Sequence, residues 1–571
     1  MESKATPVLS YDCGIADFPL LGQSIGEILN TIATKYPDNE AIVSPQQDIR
    51  LTYRQFREAV DQVARGLMAL DINKGDRVGI WAMNYAEWII VQFATAKIGA
   101  IMVNINPSYR TFELEYCLKQ SEIKLLILQG RFKTSDYVGM FYETCPEAYE
   151  SRPGRILSEK FPFLKTVVFM GDIPYNGMYQ WDELLKKAER ISHDELVERE
   201  EALDFDDAIN IQYTSGTTGY PKGVVLTHHG VLNNGYIIGE GMGFTEKDRL
   251  CIPVPFYHCF GMVLANMACV SHGSTMVIPG PAFDPGDVLR TIEAERCTAV
   301  HGVPTMFIAE LRHPDFEKFD LRSLRTGIMA GSPCPIETMK EIATRMHMSE
   351  VVIVYGQTEL SPGVTMTTTR DPLDKRVTTV GRVFPHTELK IIDPETKKIV
   401  PRGEIGEICA RGYMTMRCYY NNPTATRQAK DEHGWVHTGD LGSFDPEGFV
   451  HIEGRLKDMV IRGGENIYPR EIEEFFHQHP LIADVYVIGV PDEKYGEELM
   501  AWIKTEEGAS LTEDEIRAYA DGKIARYKIP RYYAFVDTFP ITVSGKIQKF
   551  KMREMGIEML GLHEVARIKT A

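Results

Sequence analysis

The strongest constraint on the fold is a strand–helix alternation that occurs twice along the chain. Residues 99–107 follow the pattern Gly-x-x-Met-Val-x-x-x-Pro, and residues 273–281 repeat it. Helical patterns follow both copies, over residues 112–120 and 287–296, and each leads into another apolar run. Strands that alternate with helices are typical of parallel α/β sheets. The repeat therefore predicts two stacked α/β subdomains of similar topology, with chance similarity of four fixed positions as the alternative.

A capping box marks the first clear helix. Thr52 and Gln55 have the spacing at which each side chain bonds the backbone N–H of the other residue. A strand over residues 77–82 then leads into a second helix through Trp88. The apolar face of the first helix is predicted to consist of Phe56, Val60, Val63, Ala64, Leu67 and Leu70.

The pattern changes after Gly403. Residues 404–411 and 449–453 alternate as antiparallel strands do, which predicts a small β-rich subdomain. A self-contained segment follows, with four predicted elements: helix 469–477, strand 485–490, strand 501–504 and helix 512–520.

The predicted fold class is therefore α/β. We place the domain boundary between Leu456 and Lys457. Residues 1–456 then form a large N-terminal domain of two α/β subdomains plus a small β-rich subdomain. Residues 457–571 form a small α+β C-terminal domain, and the family resemblance described below implies that it is mobile.

Charge and composition exclude several classes of protein. A formal charge of −18 argues against nucleic acid as the main partner, because phosphate contacts need a basic face. Residues 521–553 depart from this balance, with eight basic residues against two acids, and form either a solvated surface or an anion site. Residues 250–283 carry no charge, but four prolines and two histidines fit buried interior better than a membrane helix.

Cysteine usage and the N-terminus bear on the compartment. Ten cysteines, with no Cys-x-x-Cys pair and no histidine cluster at metal-ligand spacing, suit a reducing environment. Residues 1–25 lack the apolar core of a signal peptide and the Arg-rich character of a transit peptide. We therefore expect a cytoplasmic protein without a transmembrane segment. The mitochondrial matrix is the alternative if a presequence is missing from this chain.

Residues 213–223 have the chemistry of a polyphosphate site. From position 214 they supply four hydroxyls, three glycines and one lysine directly after an apolar run. Glycines let backbone N–H groups approach phosphate oxygens, and the ammonium adds charge. No Gly-Lys-Ser/Thr triplet closes the segment, so it is not an ordinary P-loop, and a Gly/Thr-rich hairpin is the structural alternative. The candidate phosphate-binding residues are Thr214, Ser215, Gly216, Thr217, Thr218, Gly219 and Lys222.

This segment resembles the phosphate loop of the adenylate-forming (AMP-binding) superfamily. Members include acyl-CoA synthetases, luciferases and peptide-synthetase adenylation domains. The resemblance covers about residues 22–553 and is nearest to the acyl-CoA synthetase branch that contains medium-chain enzymes. Four further motifs match in order: residues 330–333, residues 355–359, residues 435–440 and residues 539–546.

The resemblance implies a role for each matched residue. Thr358 meets the α-phosphate, and Glu359 holds Mg²⁺, a hard cation that prefers oxygen ligands. Asp440 accepts hydrogen bonds from both ribose hydroxyls, and Arg455 is the matching ribose and phosphate donor. The other nucleotide-binding residues implied are Gly331, Ser332, Pro333, Tyr355, Gly356 and Gln357.

The implied reaction uses ATP, CoA and Mg²⁺ in two half-reactions. A fatty carboxylate attacks the α-phosphorus of ATP to give acyl-AMP and pyrophosphate, and the CoA thiolate then displaces AMP. The Lys546 ammonium offsets the negative charge that grows in the first step. The C-terminal domain then turns about Lys457 and brings Gly463 and Gly464 to line a pantetheine tunnel. The basic residues 523–531 are the candidate contacts for the CoA phosphates.

The acyl pocket is the part of the site that selects the acid. His258 lies where the family has a residue beside the carboxylate, so we take it as a positioning residue; a core histidine with satisfied hydrogen bonds is the alternative. Gly302, Gly331 and Gly363 lie where larger residues would shorten the tunnel. These positions predict a fatty acid of medium or greater length.

Four rival functions share part of this pattern. An aryl-CoA ligase of the benzoate or coumarate type differs only in pocket shape. A luciferase-like enzyme shares every motif, although the C-terminal Lys-Thr-Ala lacks a peroxisomal Ser-Lys-Leu signal. A peptide-synthetase adenylation domain would have an acid near His258, and residues 250–283 contain none. A catalytically silent nucleotide-binding protein is expected to have lost Lys546 or Glu359, and both are present.

Overall fold

A computed structural model describes residues 8–15, 18–214, 221–331, 334–462, 465–492, 494–541 and 547–564 of the 571-residue chain. The chain divides into two compact units. The larger comprises Asp12–Leu389 and Ala410–Val436, and the smaller comprises Met1–Tyr11, Lys390–Cys409 and His437–Ala571.

The larger unit is built on two extended sheets. In strand order, the first consists of Tyr179–Gln180, Thr166–Phe169, Leu125–Leu128, Arg77–Trp81, Ile101–Asn104, Ala208–Thr214, Lys222–Thr227 and Cys418–Tyr419. The second consists of Arg382–Val383, Gly363–Met366, Glu350–Gly356, Thr326–Met329, Ala299–Val300, Arg249–Cys251, Thr275–Val277, Glu40–Ser44 and Ile49–Thr52. A separate two-stranded ribbon consists of Arg131–Phe132 and Ser135–Asp136.

Helices join these strands. The α-helices of the larger unit are Ile25–Lys35, Tyr53–Ala69, Ala86–Lys97, Thr111–Gln120, Tyr137–Thr144, Glu147–Glu150, Trp181–Lys187, His193–Glu201, His228–Met242, Ala268–His272, Pro285–Glu295, Pro304–Leu311, Ile336–Arg345, Leu373–Thr378 and Pro423–Ala429. Short 3-10 helices are Pro45–Gln47, Ala188–Arg190, Phe316–Lys318 and Thr358–Leu360.

The internal repeat corresponds to the two sheets. Strands Ile101–Asn104 and Thr275–Val277 belong one to each sheet, and each is followed by a helix, Thr111–Gln120 and Pro285–Glu295 respectively. Both strands pair in parallel with their neighbours. The predicted α/β class with two similar subdomains is therefore confirmed.

The predicted capping box is also present. The Thr52 hydroxyl accepts from the Gln55 N–H, and the Gln55 side chain accepts from the Thr52 N–H. The helix Tyr53–Ala69 that follows buries five of the six predicted apolar residues, because they recur at helical spacing. Leu70 is instead the C-cap and only half-buried.

The uncharged segment 250–283 lies inside the larger unit. It contains a π-helical stretch, Phe260–Met267, all of whose residues are buried. In the described parts of the chain, no helix is both long enough and apolar enough to cross a bilayer. The prediction of buried interior is confirmed.

The smaller unit is mainly β-structure with a few helices. One sheet has the strand order Tyr11–Cys13, Thr387–Ile392, Gly406–Gly412, Val436–Phe444 and Val450–Arg455. A second has the order Glu465–Ile467, Val460–Arg462, Gly496–Thr505 and Ile482–Asp492, with Tyr532–Phe535 also paired to Gly496–Thr505. Its α-helices are Pro469–Phe476, Glu513–Ala520 and Lys549–Leu560, and its 3-10 helices are Leu456–Asp458 and Arg526–Lys528.

The elements predicted for this segment are all present with shifted ends. The two predicted strands are longer than expected. They extend over Ile482–Asp492 and Gly496–Thr505, which pair with each other along their whole length. The domain boundary predicted between Leu456 and Lys457 falls inside a 3-10 helix and stays a prediction.

Candidate active site

The candidate phosphate loop connects two neighbouring antiparallel strands, and its two ends lie opposite each other. Thr214 ends strand Ala208–Thr214, Lys222 begins strand Lys222–Thr227, and the two residues are register partners. The Thr214 hydroxyl lies 3.5 Å from the Lys222 carbonyl oxygen, and the Tyr116 hydroxyl donates to the carbonyl of Pro221 at 3.0 Å. The structure therefore fixes both ends of the loop. Ser215, Gly216, Thr217, Thr218 and Gly219 lie outside the described residues.

The motif at residues 355–359 ends one strand and begins a short helix. Tyr355 and Gly356 close strand Glu350–Gly356, and Gln357 is the N-cap of the 3-10 helix Thr358–Leu360. A side chain at Gly356 would collide with the Pro362 carbonyl oxygen, so this tight exit from the strand requires glycine. In this short helix Thr358 is buried and Glu359 is partly exposed.

Tyr419 links the phosphate loop to the motif at residues 355–359, and no sequence motif pointed to it. Its hydroxyl donates to Glu359 Oε1 at 2.7 Å, and the Lys222 ammonium lies 5.1 Å from the centre of its ring. Burial and the Glu359 carboxylate raise the pKa of Tyr419 well above its usual range. No periodicity rule relates residues sixty positions apart, so only a structure or an alignment could have found this contact.

Gly331, from the motif at residues 330–333, lies at the same sheet edge. Strands Thr326–Met329 and Glu350–Gly356 are parallel neighbours, so the residues that follow them lie at one edge of the sheet. Gly331 follows the first strand with φ of +93°, a left-handed value that favours glycine. Ser332 and Pro333 lie outside the described residues.

A buried polar network fixes the segment before His258. The Asn84 amide donates to the Val254 carbonyl at 2.9 Å and accepts from the Phe256 N–H at 2.9 Å. The Tyr257 carbonyl accepts from the Gln212 amide and, at 3.3 Å, from the Asn104 amide. His258 itself is partly exposed and its Nδ1 accepts from the Phe260 N–H at 3.2 Å. The proposed positioning histidine is therefore on a rigid loop.

The three predicted pocket glycines differ in how much space a side chain would have at each position. A Cβ at Gly302 would lie 2.8 Å from the Phe307 ring, and one at Gly363 would lie 2.8 Å from the Phe384 ring. Close packing alone therefore accounts for glycine at these two positions. Gly331 has more room, with Val303 Cγ1 as the nearest atom at 3.2 Å.

In the smaller unit, three predicted residues form one group. Asp440 and Arg455 are register partners in adjacent antiparallel strands, with Nε and Oδ1 3.1 Å apart. The Asp440 side chain is 9% exposed and that of Arg455 is 50% exposed. Lys457 follows in the 3-10 helix, where burial and the Arg455 charge lower its pKa. Gly463, Gly464 and Lys546 lie outside the described residues.

A second polar cluster lies near this group. The Glu407 carboxylate is 3.2 Å from His437 Nδ1, which is 3.5 Å from Cys409 Sγ. Glutamate, histidine and cysteine are all residue types that bind zinc. The sequence did not indicate this cluster, because His437 is far from Glu407 and Cys409 along the chain. The Lys397 ammonium already lies 3.8 Å from Glu407. Hydrogen bonding and this ion pair account for the cluster without a cation.

Four of the eight basic residues within residues 521–553 form ion pairs. Four ion pairs compensate them within the smaller unit: Lys528–Glu471, Arg531–Asp492, Lys549–Glu473 and Arg553–Glu497. Their lengths run from 2.6 to 3.1 Å. Within residues 523–531 these pairs involve only Lys528 and Arg531, so the contact with CoA phosphates stays a prediction.

Comparison with family models identifies the class of protein. Residues 29–420 match the AMP-binding enzyme family, and residues 471–546 match the AMP-binding enzyme C-terminal domain. The chain belongs to the AMP-binding enzyme family.

Curated relatives narrow this to the acyl-CoA synthetases. The chain is 54% identical over 543 residues to YngI of Bacillus subtilis (strain 168), which carries a provisional acyl-CoA synthetase name, covering 95% of this chain and 99% of that protein. It is 43% identical over 559 residues to the mitochondrial medium-chain acyl-CoA ligase ACSF2 of Danio rerio, covering 98% and 92%. The chain is an enzyme of the acyl-CoA synthetase class, as the motifs predicted.

A solved structure confirms the architecture. The anthranilate CoA ligase AuaEII in complex with anthranoyl-AMP superposes with a TM-score of 0.82 at 26% identity, over 95% of this chain and 99% of that one. That protein holds an acyl adenylate.

Proposed function

We propose that this chain is a fatty acid–CoA ligase that acts on acids of medium or greater length. The similarity to the Danio rerio medium-chain acyl-CoA ligase over 98% of this chain carries the proposal. The linked positions of Lys222, Tyr419 and Glu359 support it, because they join a candidate phosphate loop to a candidate metal carboxylate.

In the first half-reaction, a fatty carboxylate oxygen attacks the α-phosphorus of ATP and pyrophosphate leaves. The phosphate loop with Lys222 holds the leaving phosphates, and Asp440 holds the ribose. Lys546 stabilises the charge that grows between carboxylate and α-phosphate. The Glu359 carboxylate suits Mg²⁺ because it offers hard oxygen ligands, and magnesium, when bound, neutralises phosphate charge.

In the second half-reaction, the CoA thiolate attacks the acyl carbonyl carbon. The bond between that carbon and the bridging oxygen breaks, AMP leaves with the oxygen, and the thioester forms. Lys457 acts as the hinge between the two steps, with Gly463 and Gly464 beside the pantetheine arm. We keep the cytoplasm as the proposed compartment and the mitochondrial matrix as the alternative.

A substrate panel tests the proposal. Fatty acids from short to long chain, together with benzoate and coumarate, are compared by AMP release with and without CoA. We expect the highest kcat/KM for a medium-chain or longer acid, with each buried methylene contributing about 0.8 kcal/mol, or roughly fourfold. A preference for benzoate or coumarate would instead identify an aryl-CoA ligase.

Substituting the hinge residue tests its proposed role. Lys457→Pro fixes φ within the 3-10 helix Leu456–Asp458. We expect acyl-AMP formation to persist while thioester output falls by about tenfold or more. Single-turnover assays of each half-reaction check this. Lys457→Ala is the matched control, because it removes the charge but leaves φ free; undiminished thioester output from Lys457→Pro would exclude the pivot.

A further inference from the structure

Tyr419 occupies a fixed position between two groups that the proposed function uses. It is 5% exposed, and its ring and its hydroxyl have separate partners. The hydroxyl donates to Glu359 Oε1 at 2.7 Å, while the ring lies 5.1 Å from the Lys222 ammonium. One side chain therefore contacts both a carboxylate and an ammonium without carrying a charge itself.

The backbone around Tyr419 explains why this position is rigid. Strand Cys418–Tyr419 pairs with strand Lys222–Thr227, with Tyr419 opposite Val224. The Tyr420 N–H donates to the Gly223 carbonyl at 2.7 Å, and the Met416 N–H donates to the Glu359 carbonyl at 2.8 Å. Residues 416–420 thus join the strand that leaves the phosphate loop to the short helix that carries Glu359.

We propose that Tyr419 is a positioning residue for the metal–ATP complex, holding the Glu359 carboxylate through its hydroxyl and the Lys222 ammonium against its ring. This inference rests on the proposed function, in which Glu359 binds the metal. A carboxylate has about four lone-pair sites, so one bond from Tyr419 leaves capacity for a cation. Partners that orient metal-binding carboxylates typically contribute about 10- to 100-fold in metal affinity or activity.

The neighbouring tyrosine supplies a matched control. Tyr420 is also partly buried, but its hydroxyl donates to Glu122 at 2.9 Å, away from the phosphate loop and Glu359. Tyr419→Phe removes only the hydroxyl that holds Glu359 and keeps the ring beside Lys222. Tyr419→Leu removes both contacts. Tyr420→Phe removes one buried hydroxyl of the same kind from the same segment.

The test measures metal–ATP binding and the metal requirement separately. Binding of Mn²⁺–ATP is followed by electron paramagnetic resonance, and the Mg²⁺ concentration for half-maximal AMP release is measured with the best acid of the panel. For Tyr419→Phe we expect the dissociation constant of Mn²⁺–ATP and the half-maximal Mg²⁺ concentration each to rise by about 10- to 100-fold. Its melting temperature is expected to equal that of Tyr420→Phe. Tyr419→Leu is expected to raise KM for ATP as well, because the contact with Lys222 is lost.

Two results would overturn the inference. One is equal Mn²⁺–ATP affinity and Mg²⁺ requirement in Tyr419→Phe and Tyr420→Phe. The other is a wild-type protein that fails to bind Mn²⁺–ATP at millimolar concentration. A wild-type protein that binds Mn²⁺–ATP but activates no acid would refute the proposed function alone, and the binding comparison would still decide the role of Tyr419.

Discussion

Lys546→Ala is expected to abolish formation of acyl-AMP while sparing thioester formation from supplied acyl-AMP. The family resemblance implies that this lysine lies at the α-phosphate only during the first half-reaction. A cation at that place offsets charge that develops in the transition state, so its removal is expected to slow adenylation by about 100-fold or more. Pyrophosphate release and conversion of synthetic acyl-AMP to acyl-CoA are the two measurements.

Lys551→Ala is the matched control for Lys546. Lys551 is an exposed lysine in the adjacent helix Lys549–Leu560, so its removal changes net charge equally without touching the proposed chemistry. Both half-reactions should proceed at wild-type rates in this control. Wild-type pyrophosphate release from Lys546→Ala would show that another group stabilises the transition state.

A second large effect is expected on the free energy of unfolding rather than on catalysis. Glu310 lies in helix Pro304–Leu311 and is fully buried. Neither carboxyl oxygen has a hydrogen-bond partner among the described residues. Burial raises its pKa from 4.5 to about 8, because the charged form loses its hydration. At neutral pH this carboxyl is therefore protonated in the folded state.

This pKa makes stability depend on pH in a defined direction. Between pH 4.5 and about 8 the folded protein holds a proton that the unfolded chain releases, so the free energy of unfolding falls as pH rises. Above about pH 8 this contribution to the free energy of unfolding is lost completely. The difference between 4.5 and about 8, at 1.36 kcal/mol per pKa unit, corresponds to a loss of roughly 5 kcal/mol. We expect Glu310→Gln to remove this slope.

Melting temperatures across this pH range measure the effect. The difference between Glu310→Gln and wild type should be small near pH 5 and should grow in favour of the variant up to pH 9. Glu337→Gln is the control, since that side chain is 85% exposed. Parallel pH profiles for wild type and Glu310→Gln would contradict the assignment of a raised pKa.

Local patterns explain which parts of the fold could be predicted. The capping box at Thr52 and Gln55 depends on residues three positions apart, and it is present. The strand–helix alternation also predicted the parallel cores of the two large sheets, although antiparallel strands lie at one or both edges of each sheet. The ends of Ile482–Asp492 and Gly496–Thr505 were less predictable, since pairing between strands extends them.

Long-range contacts explain what the sequence could not supply. Asn84 and Gln212 hold the loop before His258 through bonds to backbone carbonyls, from positions 170 and 45 residues distant. The motifs name residues that are predicted to contact ligands, whereas Asn84 and Gln212 support the loop from buried positions without a motif of their own. The same reason concealed Tyr419.

In the proposed reaction, a carboxylate oxygen attacks the α-phosphorus of ATP, and AMP later leaves with that oxygen. The most direct measurement uses the best acid of the panel labelled with ¹⁸O in its carboxylate, together with ATP and CoA, and determines the label in the products by mass spectrometry. We expect acyl-CoA, unlabelled pyrophosphate and AMP carrying one labelled oxygen. Formation of ADP, with the label in inorganic phosphate, would contradict the proposed reaction, because the attack would then have occurred at the γ-phosphorus.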